Sequence, residues 1–190
     1  SDVCSSDLSF GCRVNKYDST VLRAELLASG YEVSEDEGDF DTLIINSCTV
    51  TEQADQSARR TLRRAERTHP QADVILTGCF AEVMTPQEAQ QLGTVLRIPN
   101  HAKDSVVPQL NARLSRPAPP THVEIIPEWG RHTRFFFKVQ EGCDVRCAFC
   151  IIPDARGHSR SLSPDEVVET VRRAVSQGYQ EVILAGIHLG

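Results

Sequence analysis

Short apolar runs alternate with segments of helical periodicity along the first 114 residues. The runs at 41–46 and 73–77 are almost continuously apolar, which is typical of strands buried on both faces of a parallel sheet. Shorter runs predict strands at 31–33 and 94–98. Helical spacing and helix-ending residues predict helices at 19–29, 52–67, 86–91 and 105–114. This alternation predicts an α/β fold with an amino-terminal parallel-sheet βα domain over residues 1–114.

A second region follows a proline-rich stretch at 115–133, which predicts an extended linker. Beyond it, an apolar strand at 135–139, a helix at 164–177 preceded by a serine N-cap, and a strand at 181–185 form a predicted βαβ unit. Because the chain ends at that strand, we expect residues 134–190 to be a truncated domain.

The first eight residues do not predict the strand that a βα unit needs before its first helix. Only Val3 and Leu8 are apolar among them. We therefore interpret residues 1–8 as non-native sequence and Cys4 as a free thiol without a role.

Three of the seven cysteines lie close together after the strand at 135–139. Cys143, Cys147 and Cys150 have the spacing C-x3-C-x2-C, and sulfur ligands select zinc, copper(I) or iron–sulfur clusters over hard cations. A closed zinc site would need a fourth ligand, for which only His158 is within easy reach. A disulfide is a weaker alternative, because an odd number of cysteines without a signal peptide is typical of intracellular proteins.

Three further cysteines occupy equivalent places in separate βα units. Cys12, Cys48 and Cys79 each follow a strand, or the place where one is expected, and each precedes a helix. In a parallel sheet these positions share the carboxyl edge, where ligands bind, so the three thiols should converge. The alternative is that they are three buried structural cysteines, because free cysteine is among the most buried residue types.

Composition adds few functional restrictions. The chain is 40% hydrophobic and 24% charged, which predicts a globular, soluble protein, and no apolar run reaches the ~20 residues of a membrane helix. The net charge of −6 does not favour nucleic-acid binding, but residues 131–160 hold six Lys or Arg against three Asp or Glu.

Arg156 and Arg160 are therefore candidate RNA contacts. A basic helix face is a weaker candidate, because such a face is more often simply exposed to solvent. That face carries Arg59, Arg60, Arg63, Arg64 and Arg67.

Five motifs together resemble those of the methylthiotransferases, which are radical S-adenosylmethionine (SAM) enzymes with an additional amino-terminal domain. The motifs lie at residues 11–15, 46–50, 77–79, 143–150 and 151–157. The resemblance covers nearly all of residues 9–190 and implies that a radical SAM βα-barrel begins at residue 134. In such a barrel the site lies at the carboxyl end of the first strand.

The resemblance also implies the cofactors, two [4Fe–4S] clusters and SAM. Cys143, Cys147 and Cys150 would bind the cluster that reduces and cleaves SAM to a 5′-deoxyadenosyl radical, with Phe149 beside SAM. The second cluster, which would carry the sulfur to be methylated and transferred, would be bound by Cys12, Cys48 and Cys79. No residue is assigned a catalytic role.

Within the family, residues 155–161 and 186–190 resemble the branch that adds a methylthio group to C2 of N6-threonylcarbamoyladenosine beside the tRNA anticodon. Asp154 departs from that pattern. The alternatives are isopentenyladenosine in tRNA, an aspartate of ribosomal protein S12, or, in another class, a non-catalytic zinc-binding nucleic-acid module. The expected partner is tRNA, the expected location is cytoplasmic, and no membrane contact is expected. The fragment alone should be inactive, and the electron donor and sulfur source cannot be read from the sequence.

Overall fold

The computed structural model describes residues 2–4, 11–34, 40–50, 52–92, 95–120 and 134–189. Three sequence expectations fall partly outside these ranges. They are the interpretation of residues 1–8, of which only 2–4 are described, the first residue of the strand at 94–98, and most of the proline-rich linker, of which residues 121–133 are not described.

Five parallel strands form the sheet of the amino-terminal region, in the order β2-β1-β3-β4-β5. The strands are β1 (Asp2–Cys4), β2 (Glu32–Val33), β3 (Thr42–Ser47), β4 (Asp73–Gly78) and β5 (Leu96–Arg97). This confirms the parallel α/β fold. The absence of a strand before the first helix was a wrong expectation, because Asp2–Cys4 pairs with both β2 and β3. Three residues are too short for a hydrophobic pattern to reveal.

Helices cover both faces of this sheet. They are α1 (Arg13–Ala28), α2 (Glu52–Thr68), α3 (Cys79–Val83), α4 (Pro86–Gln91) and α5 (Val106–Arg113), with a 3-10 helix at Asn100–Ser105 before α5. The first helix begins at Arg13 rather than at residue 19. Its first turns bury Asn15 and Asp18, and these buried polar side chains interrupt the apolar periodicity on which the prediction depended.

Alternate residues of the central strands enter two separate cores. Leu43, Ile45, Val74 and Leu76 pack with α2, α3 and the segment after them, whereas Ile44 and Ile75 pack with α1 and α5 on the opposite face. Both faces of β3 and β4 are therefore buried, which explains why these strands are continuously apolar.

The second region contains one parallel strand pair with its crossover helix. Its elements are β6 (Arg134–Lys138), β7 (Gln140–Glu141), α6 (Ile152–Arg156), β8 (Arg160–Ser161), α7 (Pro164–Ser176) and β9 (Glu181–Ala185). Strands β6 and β9 pair in parallel, and β7 and β8 pair antiparallel. A capping box between Ser163 and Glu166 begins α7. The predicted βαβ unit is confirmed.

The two regions share a hydrophobic contact. Tyr17 of α1 lies with its ring centroid 6.4 Å from that of Phe135 and 5.9 Å from that of Phe137. The two phenylalanines pack in turn on Ala174 and Tyr179. The start of the second region is therefore docked against the first helix of the first. Among the described residues, no helix combines the length and apolar character needed to cross a bilayer.

A cavity of about 180 Å³ lies between α1, the 3-10 helix and β6. Glu25 and Asp104 both line it. Burial, and secondly the nearby charge of Asp104, raise the pKa of Glu25 from 4.5 to about 7. Because the folded protein binds this proton more tightly than the unfolded chain does, the contribution of Glu25 to stability is most favourable below about pH 4.5 and is lost as the pH rises through about 7.

Replacing Glu25 by glutamine should remove this pH dependence. At pH 8 we expect Glu25→Gln to be more stable than the wild type by about 1 kcal/mol, a figure reduced for partial exposure, and at pH 4.5 we expect equal stability. Urea unfolding at the two pH values measures the difference. Glu66→Gln, on the exposed face of α2, is the control, and an equal gain at both pH values would contradict the prediction.

Candidate functional site

Two cysteines follow directly from the central strand pair. Ser47 of β3 and Gly78 of β4 are opposite each other in the parallel register, and the next residues are Cys48 and Cys79. Both thiols are buried, with 2% and 0% of their surface exposed. The register thus places two sulfur side chains next to each other at the carboxyl edge of the sheet.

Gly78 makes this approach possible. Its φ is +90°, and a Cβ atom there would lie 2.3 Å from the Ser47 carbonyl oxygen and 2.6 Å from Asn46 Oδ1. Only glycine can adopt this conformation at such a distance without displacing the neighbouring strand. The chain can therefore turn from β4 directly into α3, whose first residue is Cys79.

The third cysteine reaches the same edge from α1. Cys12 is the N-cap residue of α1, and its side chain makes no capping hydrogen bond. A Cβ on the preceding Gly11 would lie 3.0 Å from Cys48 Cβ. Two reciprocal hydrogen bonds connect α1 with β3. Asn15 Nδ2 donates to the Asn46 carbonyl (3.2 Å), and Asn46 Nδ2 donates to the Asn15 carbonyl (3.1 Å).

The charges of the other two cysteines act on Cys79. Burial is the main cause that raises the pKa of the Cys79 thiol to about 11, and the charges of Cys48 and Cys12 act in the same direction. Arg156 acts in the opposite direction. Without a bound cation Cys79 is therefore protonated at neutral pH, and a metal would bind by displacing that proton.

The other cysteine group lies on an irregular loop between β7 and α6. Cys143 is half-buried, whereas Cys147 and Cys150 are exposed. The Cys150 amide donates to the Cys147 carbonyl (3.0 Å), which closes a turn with Phe149 fully exposed on it. Two thiols and an aromatic ring are thus exposed on this loop.

The base of this loop is tied to the segment that follows α6. The Cys143 amide donates to the Gly157 carbonyl (3.1 Å). The Asp144 carboxylate is 2.7 Å from His158 Nδ1 and accepts a hydrogen bond from the Ser159 amide (3.2 Å). Gly142, with φ +74°, passes so close to His158 that a Cβ would lie 2.0 Å from its carbonyl oxygen. His158 therefore has a structural partner.

Gln140 is a site residue that the sequence did not indicate. Its side-chain oxygen accepts from the amides of Ile187 (2.7 Å) and His188 (2.9 Å), and its Nε2 donates to the Gly142 carbonyl (2.7 Å). This buried amide connects the loop after β9 to the start of the cysteine loop. A lone polar residue after an apolar strand is the only sequence signal for it.

A buried group of five charged residues joins the two regions and was also missed. Asp18 and Lys103 come from the amino-terminal region, and Lys138, Glu141 and Arg156 come from the second. Burial alone would raise the pKa of Glu141, but Lys103 and Lys138 outweigh it and lower that pKa to about 2. These ion pairs connect residues up to 138 positions apart, so local sequence could not reveal them.

This group also corrects one expectation about RNA. Arg156 is only 3% exposed and is enclosed by ion pairs, so its predicted contact with RNA phosphates is wrong. Arg59 pairs with Asp55 and Glu88 and lies over the Phe80 ring. Arg160 is exposed and stays a candidate, and an RNA role for the exposed arginines of α2 stays a prediction.

The arrangement of the described ligand side chains differs from that of a site for a single metal ion. Among them, no three His, Cys, Asp or Glu residues converge closely enough to hold one metal ion. A four-iron cluster makes a different demand, because each cysteine binds its own iron and the sulfurs therefore stand several ångströms apart. The soft donor set, the burial of Cys48 and Cys79, and the open loop fit such clusters chemically.

The two regions of the chain match two known families. Residues 7–98 match the family described as uncharacterized protein family UPF0004, and residues 137–188 match the Radical SAM superfamily. The threonylcarbamoyladenosine tRNA methylthiotransferase MtaB of Aquifex aeolicus is 38% identical over 94% of this chain and 46% of its own length. MtaB of Bacillus subtilis is 33% identical over 95% and 42%. The ribosomal protein uS12 methylthiotransferase RimO of Nostoc punctiforme is 32% identical over 92% and 42%.

The fold and these matches define an amino-terminal UPF0004 region followed by the beginning of a radical SAM region. Over nearly its whole length the chain is similar to methylthiotransferases, and its second region carries the Radical SAM match. It spans less than half the length of the curated relatives named above.

Gly78→Ala should destabilise the protein by about 3 kcal/mol or more, because a Cβ there meets backbone of the adjacent strand as well as an unfavourable φ. Gly178→Ala is a matched control with φ +94° and no atom within 4 Å of its Cβ. We expect it to cost only about 1–2 kcal/mol. Chemical denaturation compares the two variants, and equal costs would show that the close contact at Gly78 does not matter.

Proposed function

We propose that this chain is part of a radical SAM methylthiotransferase that adds a methylthio group to C2 of N6-threonylcarbamoyladenosine next to the tRNA anticodon. The observation that carries the proposal is the adjacency of two cysteine groups. Arg156 lies beside Cys79 of one group, and the next residue, Gly157, accepts a hydrogen bond from Cys143 of the other. A sulfur donor and a radical source must be close together for this reaction.

The same residues define the proposed cofactor sites. Cys143, Cys147 and Cys150 would hold one [4Fe–4S] cluster, with SAM at its open iron beside Phe149. Cys12, Cys48 and Cys79 would hold a second. When bound, these groups supply the radical and the sulfur. The remaining task of the protein is to exclude water and fix positions, which buried Cys79, Gln140 and the ion pairs are placed to do.

The proposed domain division follows from the matches and the linker. The UPF0004 match ends at residue 98 and the Radical SAM match begins at 137. These limits support a methylthiotransferase amino-terminal domain at 1–114, a linker at 115–133 and a radical SAM region from 134. The origin of residues 1–8 stays a prediction.

The substrate assignment rests on the relatives and on local motifs. Aquifex aeolicus MtaB exceeds the RimO relative in identity, at 38% against 32%, whereas Bacillus subtilis MtaB, at 33%, is almost level with it. Residues 155–161 and 186–190 add support for the threonylcarbamoyladenosine branch. Exposed Arg160 would contact tRNA phosphates. The proposed location is the cytoplasm, in keeping with a tRNA substrate. Ribosomal protein S12 is the second candidate substrate.

Iron analysis tests the two cluster sites separately. After anaerobic reconstitution the chain should bind about eight irons, and Cys48→Ala and Cys143→Ala should each lose about four. Cys4→Ala should lose none. Iron and acid-labile sulfide per chain are the measured quantities. Full iron in Cys48→Ala, or tightly bound zinc in place of iron, would contradict the proposal.

A chimera tests the substrate. Residues 9–190 would replace the corresponding segment of Bacillus subtilis MtaB in a strain lacking that gene. Mass spectrometry of tRNA nucleosides should then show methylthiolated threonylcarbamoyladenosine. Cys48→Ala should keep SAM cleavage but lose this product, and Cys143→Ala should lose both. Methylthiolation of isopentenyladenosine or of S12 peptides would move the chain to another branch.

A further inference from the structure

Arg156 is a buried arginine at the boundary between the two cysteine groups. It is the last residue of α6, and α6 packs against α3, the helix that begins at Cys79. Its Nη1 atom donates to Asp18 Oδ2 (3.2 Å) and to Glu141 Oε1 (2.8 Å). One edge of the guanidinium is therefore occupied by carboxylates.

The two carboxylates do not need Arg156 for charge balance. Lys103 Nζ lies 3.0 Å from Asp18 Oδ2 and 2.8 Å from Glu141 Oε1. Lys138 contacts both carboxylates as well, at 2.9 Å from Glu141 Oε2. Two lysines thus balance two carboxylates, and the charge of Arg156 is in excess within this described group.

The other edge of the guanidinium has no oxygen or nitrogen partner within the described structure. Nε and Nη2 are both buried and lack a geometrically complete hydrogen bond, while Arg156 also acts as a weak hydrogen-bond donor to the Cys79 thiol. The group nevertheless lies next to the amino-terminal thiols. Cys79 and Cys12 are near enough for their charges to act on the guanidinium, and Cys79 begins the helix α3 on which α6 packs. Buried unpaired donors are rare in native proteins and call for an explanation, such as a bound ion or cofactor.

We propose that Arg156 is a positioning residue for the amino-terminal cluster, whose Nε–H and Nη2–H groups donate hydrogen bonds to sulfur bound by Cys12, Cys48 and Cys79. The second region would then supply part of the environment of a cluster bound by the first. This inference rests on the proposed function, because it requires an iron–sulfur group at these three cysteines.

Such donors have a measurable effect on the cluster. Reduction adds negative charge, which the guanidinium and its N–H···S hydrogen bonds stabilise, so they raise the reduction potential. A purely structural ion pair would not do this selectively. The reduction potential therefore distinguishes contact with the sulfur from mere support of the fold.

The experiment uses the full chain with Cys143, Cys147 and Cys150 replaced by alanine, so that only the amino-terminal cluster contributes to the signal. After reconstitution with ferrous iron and sulfide, the potential is titrated by electron paramagnetic resonance. Arg156→Met should shift it to a more negative value. Arg156→Lys should give an intermediate shift, because it keeps the charge but loses the fork of donors. Lys138→Met, which removes a cation from the same ion group without facing Cys79, should change it least.

The outcomes separate the two proposals. If the parent protein binds no iron, the amino-terminal cluster of the proposed function fails, and this inference fails with it. If the parent binds a cluster and Arg156→Met shifts its potential no more than Lys138→Met does, the cluster stands and the role of Arg156 is overturned. Should Arg156→Met bind no iron, Arg156→Lys decides: a lowered potential supports the inference and an unchanged one overturns it.

Discussion

The buried ion group between the two regions is the interaction on which the arrangement of the site depends. Asp18 lies on the first helix and Glu141 on the strand leading into the cysteine loop, and both are held by Lys103, Lys138 and Arg156. Removing one partner of a buried ion pair typically costs about 3–5 kcal/mol, because the remaining charge has lost its solvent. The group therefore strongly favours one docked position over others.

That docked position completes the surroundings of the cysteines at the sheet edge. A parallel sheet brings Cys48 and Cys79 together by register, and the N-terminus of α1 adds Cys12. On its own this edge would be one sulfur-lined surface. The ion group brings the second region against it, so that α6 contacts α3 on one side and the base of the cysteine loop on the other. Three distant segments and one local loop thus meet.

The sequence reveals most of the helices and strands but little of the contact between the two regions. Strands β3, β4 and β9 follow from apolar runs, and the cysteine positions follow from strand ends in a parallel sheet. The early start of α1 was missed because its first turns bury Asn15 and Asp18. In a pattern of hydrophobic and polar positions, these two residues look like exposed ones. Arg156 was interpreted as an exposed contact for RNA for the same reason. An ion pair between residues far apart in the sequence can be recognised only when the fold shows both partners side by side.

Two clusters held by the two cysteine groups would lie close to each other across this junction. Electron paramagnetic resonance of the fully reduced, reconstituted chain detects such proximity, because two nearby paramagnetic clusters broaden and split each other's signals. We expect a spin-coupled spectrum that becomes a simple uncoupled signal when either Cys79 or Cys147 is replaced by alanine. A wild-type spectrum equal to the sum of the two variant spectra would contradict it.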